Sequence, residues 1–188
     1  MAIIIMLMAT LLPVFEQATK HAESATCLSN LRSLPLAAQM YASDWDDFLP
    51  PALVPARPVG YAVCWDVTLT PYLRNQELLV CTSDPNPTPG PSWTYSYPHS
   101  YGINLSLTMV GGYQGQARRL GDLEEPGRVI LYFELAQPYS YGWQSSWANL
   151  AQYVAARHHN GANFAFCGGN ARWLPLERTM EGAGMWEP

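Results

Sequence analysis

Apolar residues are spread unevenly along the chain. From Met1 to Phe15 (MAIIIMLMATLLPVF) no residue is charged, and the first charge is Glu16. Beyond it the apolar positions become periodic. Phe15, Ala18, Ala22, Ala25, Leu28, Leu31, Leu34, Ala38 and Tyr41 recur at steps of three and four, the stripe of an amphipathic helix. Glu16 and Lys20 stand four apart in the favourable order on the other face. One helical pattern therefore runs from about residue 2 to about residue 43, with Pro13 and Pro35 inside it, each removing a backbone hydrogen bond. The pattern predicts a helical stem over residues 1–43, apolar first and amphipathic later, then a globular head over residues 44–188.

The apolar segment fits neither common targeting element. No basic residue precedes it and no A-x-A site follows, so it is not patterned as a secretory signal. At 1.5 Å per residue it reaches about 22 Å, short of the roughly 20 residues a membrane-spanning helix needs. The first half of the whole helix calls for cover from lipid or from other copies of the chain, and its second half for cover from the head.

In the head, short strand-like runs alternate with turns. The candidates are Tyr61–Trp65, Leu78–Cys81, Ser100–Leu107, Arg128–Leu135, Ala162–Cys167 and Ala171–Leu174. Asn163 to Cys167 alternates polar and apolar, and Gly168-Gly169-Asn170 then reads as a hairpin turn whose glycines supply positive φ. A long helix on an antiparallel sheet is an α+β fold.

Composition narrows the function. The chain is 48% hydrophobic and 13% charged, against roughly 25% charged for an ordinary soluble protein. With 10 basic residues and a net charge of −5 it offers no cationic stripe, so a nucleic-acid partner is not expected. No G-x-S-x-G, P-loop, H-E-x-x-H or dinucleotide fingerprint occurs, so neither an enzyme nor a cofactor is expected. A Pro-rich loop (84–91), a loop carrying Arg118-Arg119 (111–121) and a Tyr/Trp/Ser-rich loop (137–148) are the surface segments. The last suits contacts with neighbouring subunits or a sugar-like surface.

Four cysteines, Cys27, Cys64, Cys81 and Cys167, suggest two disulfides in an exported chain, with three connectivities open. Cys64 and Cys81 flank one helix-containing loop and are the favoured pair. The cysteine spacings are too long and irregular for a zinc module. Asp44, Asp46 and Asp47 form a small acidic cluster, a weak candidate for calcium that fits a helix end better. His158, His159 and Asn160 could be ligands or catalytic groups, but adjacent side chains point apart in an extended chain, and a hydrogen-bonded turn is the favoured reading. Asn104-Leu105-Ser106 is a glycosylation sequon, and the Thr82–Ser92 loop a weaker candidate for O-glycans.

Several of these blocks also follow one another in a familiar order. They are the apolar run ending in Pro13-Val14-Phe15, then Cys27 to Leu31, Tyr41-Ala-Ser-Asp-Trp-Asp-Asp47 leading to Pro50-Pro51, Leu69 to Tyr72, Cys81 to Asp84, Ser100 to Asn104, and Glu125-Pro126 to Phe133. Together they resemble type IV pilins and type II secretion pseudopilins, and most closely a bacterial pilin-like family. That family ends in a His, nine residues, Asp-Gly signature. Here His158 and the spacing match, while Gly168-Gly169 replaces Asp-Gly and Asn170 stands where the family has His. The leader, its cleavage glycine and the first stem residues of such proteins have no counterpart, so Met1 falls inside the usual mature stem and further residues are expected upstream.

The resemblance implies a pilin-like fold and a structural, extracellular role at the bacterial surface. The stem would sit in the inner membrane before assembly and then polymerise with identical subunits into a helical filament. The residues expected in the filament core are Ile3, Ile4, Ile5, Leu7, Leu11, Leu12, Val14 and Phe15, with Pro13 setting a kink or local unwinding. The alternatives are a minor pseudopilin of a secretion or DNA-uptake machine, and a membrane-anchored module that binds glycans.

Overall fold

A computed structural model describes residues 2–56, 61–87, 89–90, 92, 94–110, 116–136, 153–181 and 183–187. The chain begins with helix α1, Ala2–Asp44. Helical structure continues through Pro13 and Pro35. A proline removes the bond to one carbonyl, and the turns on either side hold the rest.

Two sheets follow. Strands β1 (Leu53–Ala56) and β2 (Tyr61–Cys64) pair antiparallel, and the short β3 (Thr94–Tyr95) joins β2 in parallel. The larger sheet is an antiparallel meander in the order β4 (Tyr101–Ile103), β5 (Ile130–Glu134), β6 (Gly161–Phe166), β7 (Ala171–Pro175). Short helices α2 (Trp65–Leu69), α3 (Leu105–Thr108) and α4 (Leu176–Met180) complete the fold. The architecture is the expected mixture of a long helix and mostly antiparallel sheets.

The segment expected as a strand at Leu78–Cys81 is instead a 3-10 turn, Gln76–Leu79, capped by Asn75 Oδ1 accepting from the Leu78 amide. The strand expected over Ser100–Leu107 stops at Ile103. There Asn104 Oδ1 accepts from the Ser106 amide and starts α3. In both places a polar side chain satisfies a backbone donor that a ladder would otherwise have taken.

The meander is covered on both faces. One face carries the second half of α1, whose Cys27, Leu31, Leu34, Ala38 and Tyr41 share a core with Leu131, Tyr132, Ala165 and Cys167. The other face carries Ile130, Phe133, Phe164 and Phe166 under Trp186 from the C-terminal segment. The β5–β6 register shifts between Ile130 and Tyr132. Leu131 and Tyr132 therefore both join the core under α1, and Glu134, two residues past Tyr132, also falls on the α1 side. Burying each large side chain of this kind contributes roughly 1.5–3 kcal/mol.

The stripe read along the stem is covered only in part. Leu31, Leu34, Ala38 and Tyr41 are buried, but Phe15, Ala18, Ala22 and Ala25 are exposed, although head residues reach the helix at Glu23, bonded by Ser83, and at His21, stacked on His159.

Candidate functional site

Two features stand out once the fold is assembled. The first is the free part of α1. Ile4, Met8, Leu11, Leu12, Val14 and Phe15 are all exposed, Phe15 to 76%. The side chains of Ile3, Ile5 and Leu7, also expected in a filament core, lie outside the described residues. No helix among the described residues is long and apolar enough to cross a membrane.

The second feature lies under the other half of the same helix, where four elements converge on one buried point. Cys27 comes from the covered face of α1. Cys81 leaves the 3-10 turn beneath it, where Asn30 Nδ2 donates to the Val80 carbonyl at 3.1 Å. Glu134 ends β5, and His158 precedes β6. The ligand-capable atoms of Cys27, Cys81, Glu134 and His158 all lie within 4.8 Å of one another, and all four residues are buried.

Glu134 and His158 are both held from outside the cluster as well as touching within it. His158 Nε2 is 2.8 Å from Glu134 Oε1 and 3.5 Å from Cys81 Sγ. Cys81 Sγ is 3.8 Å from the same carboxylate oxygen. The Glu134 carboxylate accepts from Asn163 twice, from the backbone N–H at 3.0 Å and from Nδ2 at 3.2 Å. The His158 backbone pairs with Gly161 in both directions across a two-residue turn. His159 and Asn160 occupy that turn at φ 48° and 60°, the positive-φ pair of a tight hairpin turn. The His158 carbonyl also accepts from Trp173 Nε1 at 2.7 Å. Arg157 donates to the Leu135 carbonyl and pairs with Asp84, tying the chain after Cys81 to the end of β5. An open cleft of about 400 Å³ borders the cluster, lined by Lys20, Glu23, Thr82, Ser83, Arg157, His158 and His159.

The disulfide joins Cys27 to Cys81, correcting the favoured pairing of Cys64 with Cys81. Cys64 and Cys167 are both buried outside it. Cys64 packs with Leu53, Ala62 and Met109, whereas Cys167 lies in the core beneath α1, so one disulfide forms rather than two. The flanking-loop argument failed because β2 carries Cys64 into the small sheet. The helical stripe had the useful signal: Cys27 lies four residues before Leu31, on the face the head covers.

The remaining sequence candidates divide clearly. Asp44, Asp46 and Asp47 do not form a joint site. Asp44 accepts from the Tyr72 hydroxyl, Asp46 and Asp47 adopt positive φ at the helix end, and Asp47 accepts from the Gly121 amide. Long cysteine spacing did not preclude a cysteine–histidine–carboxylate cluster, since α1 and β5 bring the parts together. His158 is more than a turn residue, for its ring is buried within that cluster. Gly169 supplies positive φ (90°) at the β6–β7 hairpin, whereas Gly168 is there for space: a Cβ on it would lie 2.9 Å from the Gly127 backbone. Asn104 does not present its amide for glycosylation. It is buried, and Nδ2 donates to the Ile130 and Trp186 carbonyls. In the Thr82–Ser92 segment, Ser83 donates to Glu23, and the Thr82 hydroxyl lies 3.6 Å from Cys27 Sγ. The aromatic loop over 137–148 lies outside the described residues.

Sequence reasoning missed Glu134 and Arg157 as partners in this arrangement. Glu134 is a charged residue ending an otherwise apolar strand, ILYFE, and that was the available signal. Compared with protein-family models, curated proteins and solved structures, the chain matches none.

Proposed function

We propose that the chain is a structural, non-catalytic subunit of an extracellular helical filament. The first half of α1 packs against the same segment of neighbouring copies, while the heads form the outer surface. The observation that carries this reading is the exposed apolar segment from Ile4 to Phe15, continuous with a half-helix that the head already covers. A monomer gains nothing from leaving such a patch in water. Burying each large side chain between stems would contribute roughly 1.5–3 kcal/mol. Where one face of a stem meets a different face of the next stem the contact is heterologous, and repeated it generates an open helical polymer. On the family resemblance, the stem resides in the inner membrane before assembly.

The test is assembly. Purified chain is transferred out of detergent and examined by electron microscopy and sedimentation, beside a Leu11→Asp/Leu12→Asp variant. Filaments from the unaltered chain and none from the variant are expected. Persistent monomers, or copurification from cells only at low abundance with secretion components, would remove the filament reading.

A further inference from the structure

We propose that Cys27, Cys81, Glu134 and His158 form a zinc site when the Cys27–Cys81 bond is reduced, so that this buried point has two states, cross-linked and metal-loaded. The proposal concerns the head and does not rest on the filament reading.

Donor chemistry is the first support. Two thiolates, one imidazole nitrogen and one carboxylate oxygen make a four-ligand set of the kinds Zn²⁺ takes, at about 2.3 Å for sulfur and about 2.0–2.1 Å for nitrogen and oxygen. Geometry is the second. Those bond lengths in a tetrahedron place sulfur about 3.5 Å from nitrogen or oxygen, and nitrogen about 3.3 Å from oxygen. The structure has Cys81 Sγ at 3.5 Å from His158 Nε2 and 3.8 Å from Glu134 Oε1. His158 Nε2 is 2.8 Å from that oxygen. The two sulfur distances are thus close to coordination spacing, while His158 Nε2 and Glu134 Oε1, now in hydrogen-bond contact, would part by about 0.5 Å to admit the ion. The main change needed is separation of the two sulfurs, whose Cα atoms are 5.1 Å apart.

The surroundings are those of a fixed site. Asn163 holds the Glu134 carboxylate through its backbone N–H and its amide side chain. The Thr82 hydroxyl stands 3.6 Å from Cys27 Sγ, where it can donate to a thiolate. Such outer hydrogen bonds orient ligands and tune affinity. Asn163 Oδ1 is buried and has no hydrogen-bond partner among the described residues, one more polar atom beside the cluster. The adjoining cleft, with His158 in its wall, supplies an entry path.

The redox step balances with a phosphine as reductant. The S–S bond breaks, each sulfur gains a proton and becomes a thiol, and the phosphine takes the oxygen of one water to become its oxide. Zinc then binds with loss of the two thiol protons to solvent.

The full chain in detergent, oxidised or phosphine-reduced, is titrated with Co²⁺ as a spectroscopic probe and then with Zn²⁺. The reduced chain should bind one Co²⁺, showing thiolate-to-metal charge transfer and tetrahedral ligand-field bands that Zn²⁺ abolishes. Two protons should be released per metal, and the oxidised chain should give none of these signals. Cys167→Ser should behave as the unaltered chain, and Asn163→Ala should bind roughly 10–100-fold more weakly. Reduction also removes a cross-link, so helicity is followed in parallel, and recovery of helicity on adding metal supports the site. Any of three results would overturn it: equal binding by oxidised chain, binding without the charge-transfer band, or a reduced chain, folded or unfolded, that takes up no metal.

Discussion

The two halves of α1 are built from similar residues and end in opposite environments. Leu11, Leu12 and Phe15 stand in water, with Phe15 76% exposed, while Leu31 and Leu34 are fully buried beneath the meander. Hydrophobicity does not distinguish them, since the first half is the more apolar. What differs is reach. From Cys27 onward the helix lies on β5, β6 and β7 and is clamped by the disulfide to Cys81, by Asn30 on the Val80 carbonyl and by Gln39 on the Cys167 carbonyl. Before Cys27 the described contacts are a few polar ones, Ser83 on Glu23, Asn163 on the Ser24 carbonyl and His159 stacked on His21, while Leu11, Leu12 and Phe15 stay exposed. One continuous helix thus carries a segment that the head covers and an exposed apolar segment, the assembly contact of the proposed function, and substitutions should separate their energetics.

The largest effect should come from the clamp itself. The disulfide closes a loop of 54 residues' separation, which chain entropy sets at about 4 kcal/mol. Cys27→Ser in the presence of a chelator should lose about that much in urea unfolding followed by far-ultraviolet circular dichroism. A loss below about 1 kcal/mol would mean that the second half is held by packing alone.

Packing supplies the next contrast. Leu34→Ala removes a fully buried side chain from the core shared by α1 and the meander and should cost roughly 2–5 kcal/mol. Equilibrium unfolding measures it, and a cost under about 1 kcal/mol would place Leu34 in the same class as the exposed leucines.

A third prediction uses alkaline pH to probe the covered half. Burial pushes the Cys167 thiol up from 9.0 to about 12, with its carbonyl bound by Gln39 of α1. In the unfolded chain the thiol ionises near 9, so between pH 9 and about 12 the unfolded state loses its proton first. Stability is therefore full below pH 9 and falls as pH rises through that window, by up to about 1.4 kcal/mol per pH unit from this group. Tyr132 and Tyr101 are also raised by burial and act in the same direction. Cys167→Ser should make the decline shallower by about one proton's slope. An unchanged slope would show that the thiol already meets solvent in the folded state.

Much of this division was legible in the sequence, but not its boundary. The stem, the β5 and β6 runs and the β6–β7 hairpin were readable because local periodicity and glycine placement determine them. The point where the helix becomes covered depends on where the sheet ends, and no local pattern in Phe15, Ala18, Ala22 and Ala25 records that. The disulfide was misread for a similar reason. Loop proximity between Cys64 and Cys81 is a one-dimensional measure, whereas the pairing follows from which face of α1 meets the turn after Leu79. Asn75 and Asn104 ended two expected strands through single hydrogen bonds, which outweighed the weak strand preference of their neighbours. Glu134 and His158 lie 24 positions apart in sequence, and only the pairing of β5 with β6 brings their side chains together.

The smallest effect on the fold should fall in the uncovered half, and it is the most informative. Leu12 is 64% exposed, so Leu12→Ala creates no cavity in the monomer. Alanine is also the better helix former. The unfolding free energy of unassembled chain should therefore stay within about 0.5 kcal/mol of the original. If the first half is buried between stems, the same substitution removes roughly 1.5–3 kcal/mol of burial per subunit on assembly. That corresponds to about a tenfold or greater rise in the concentration needed for polymer. Urea unfolding of dilute chain and sedimentation of concentrated chain measure the two quantities on one preparation. A fall of more than 1 kcal/mol in the first would show that the head covers Leu12 and that the contrast between halves is false. An unchanged second value, with the first also unchanged, would remove the stems from the assembly contact and with them the filament built on the free half of α1.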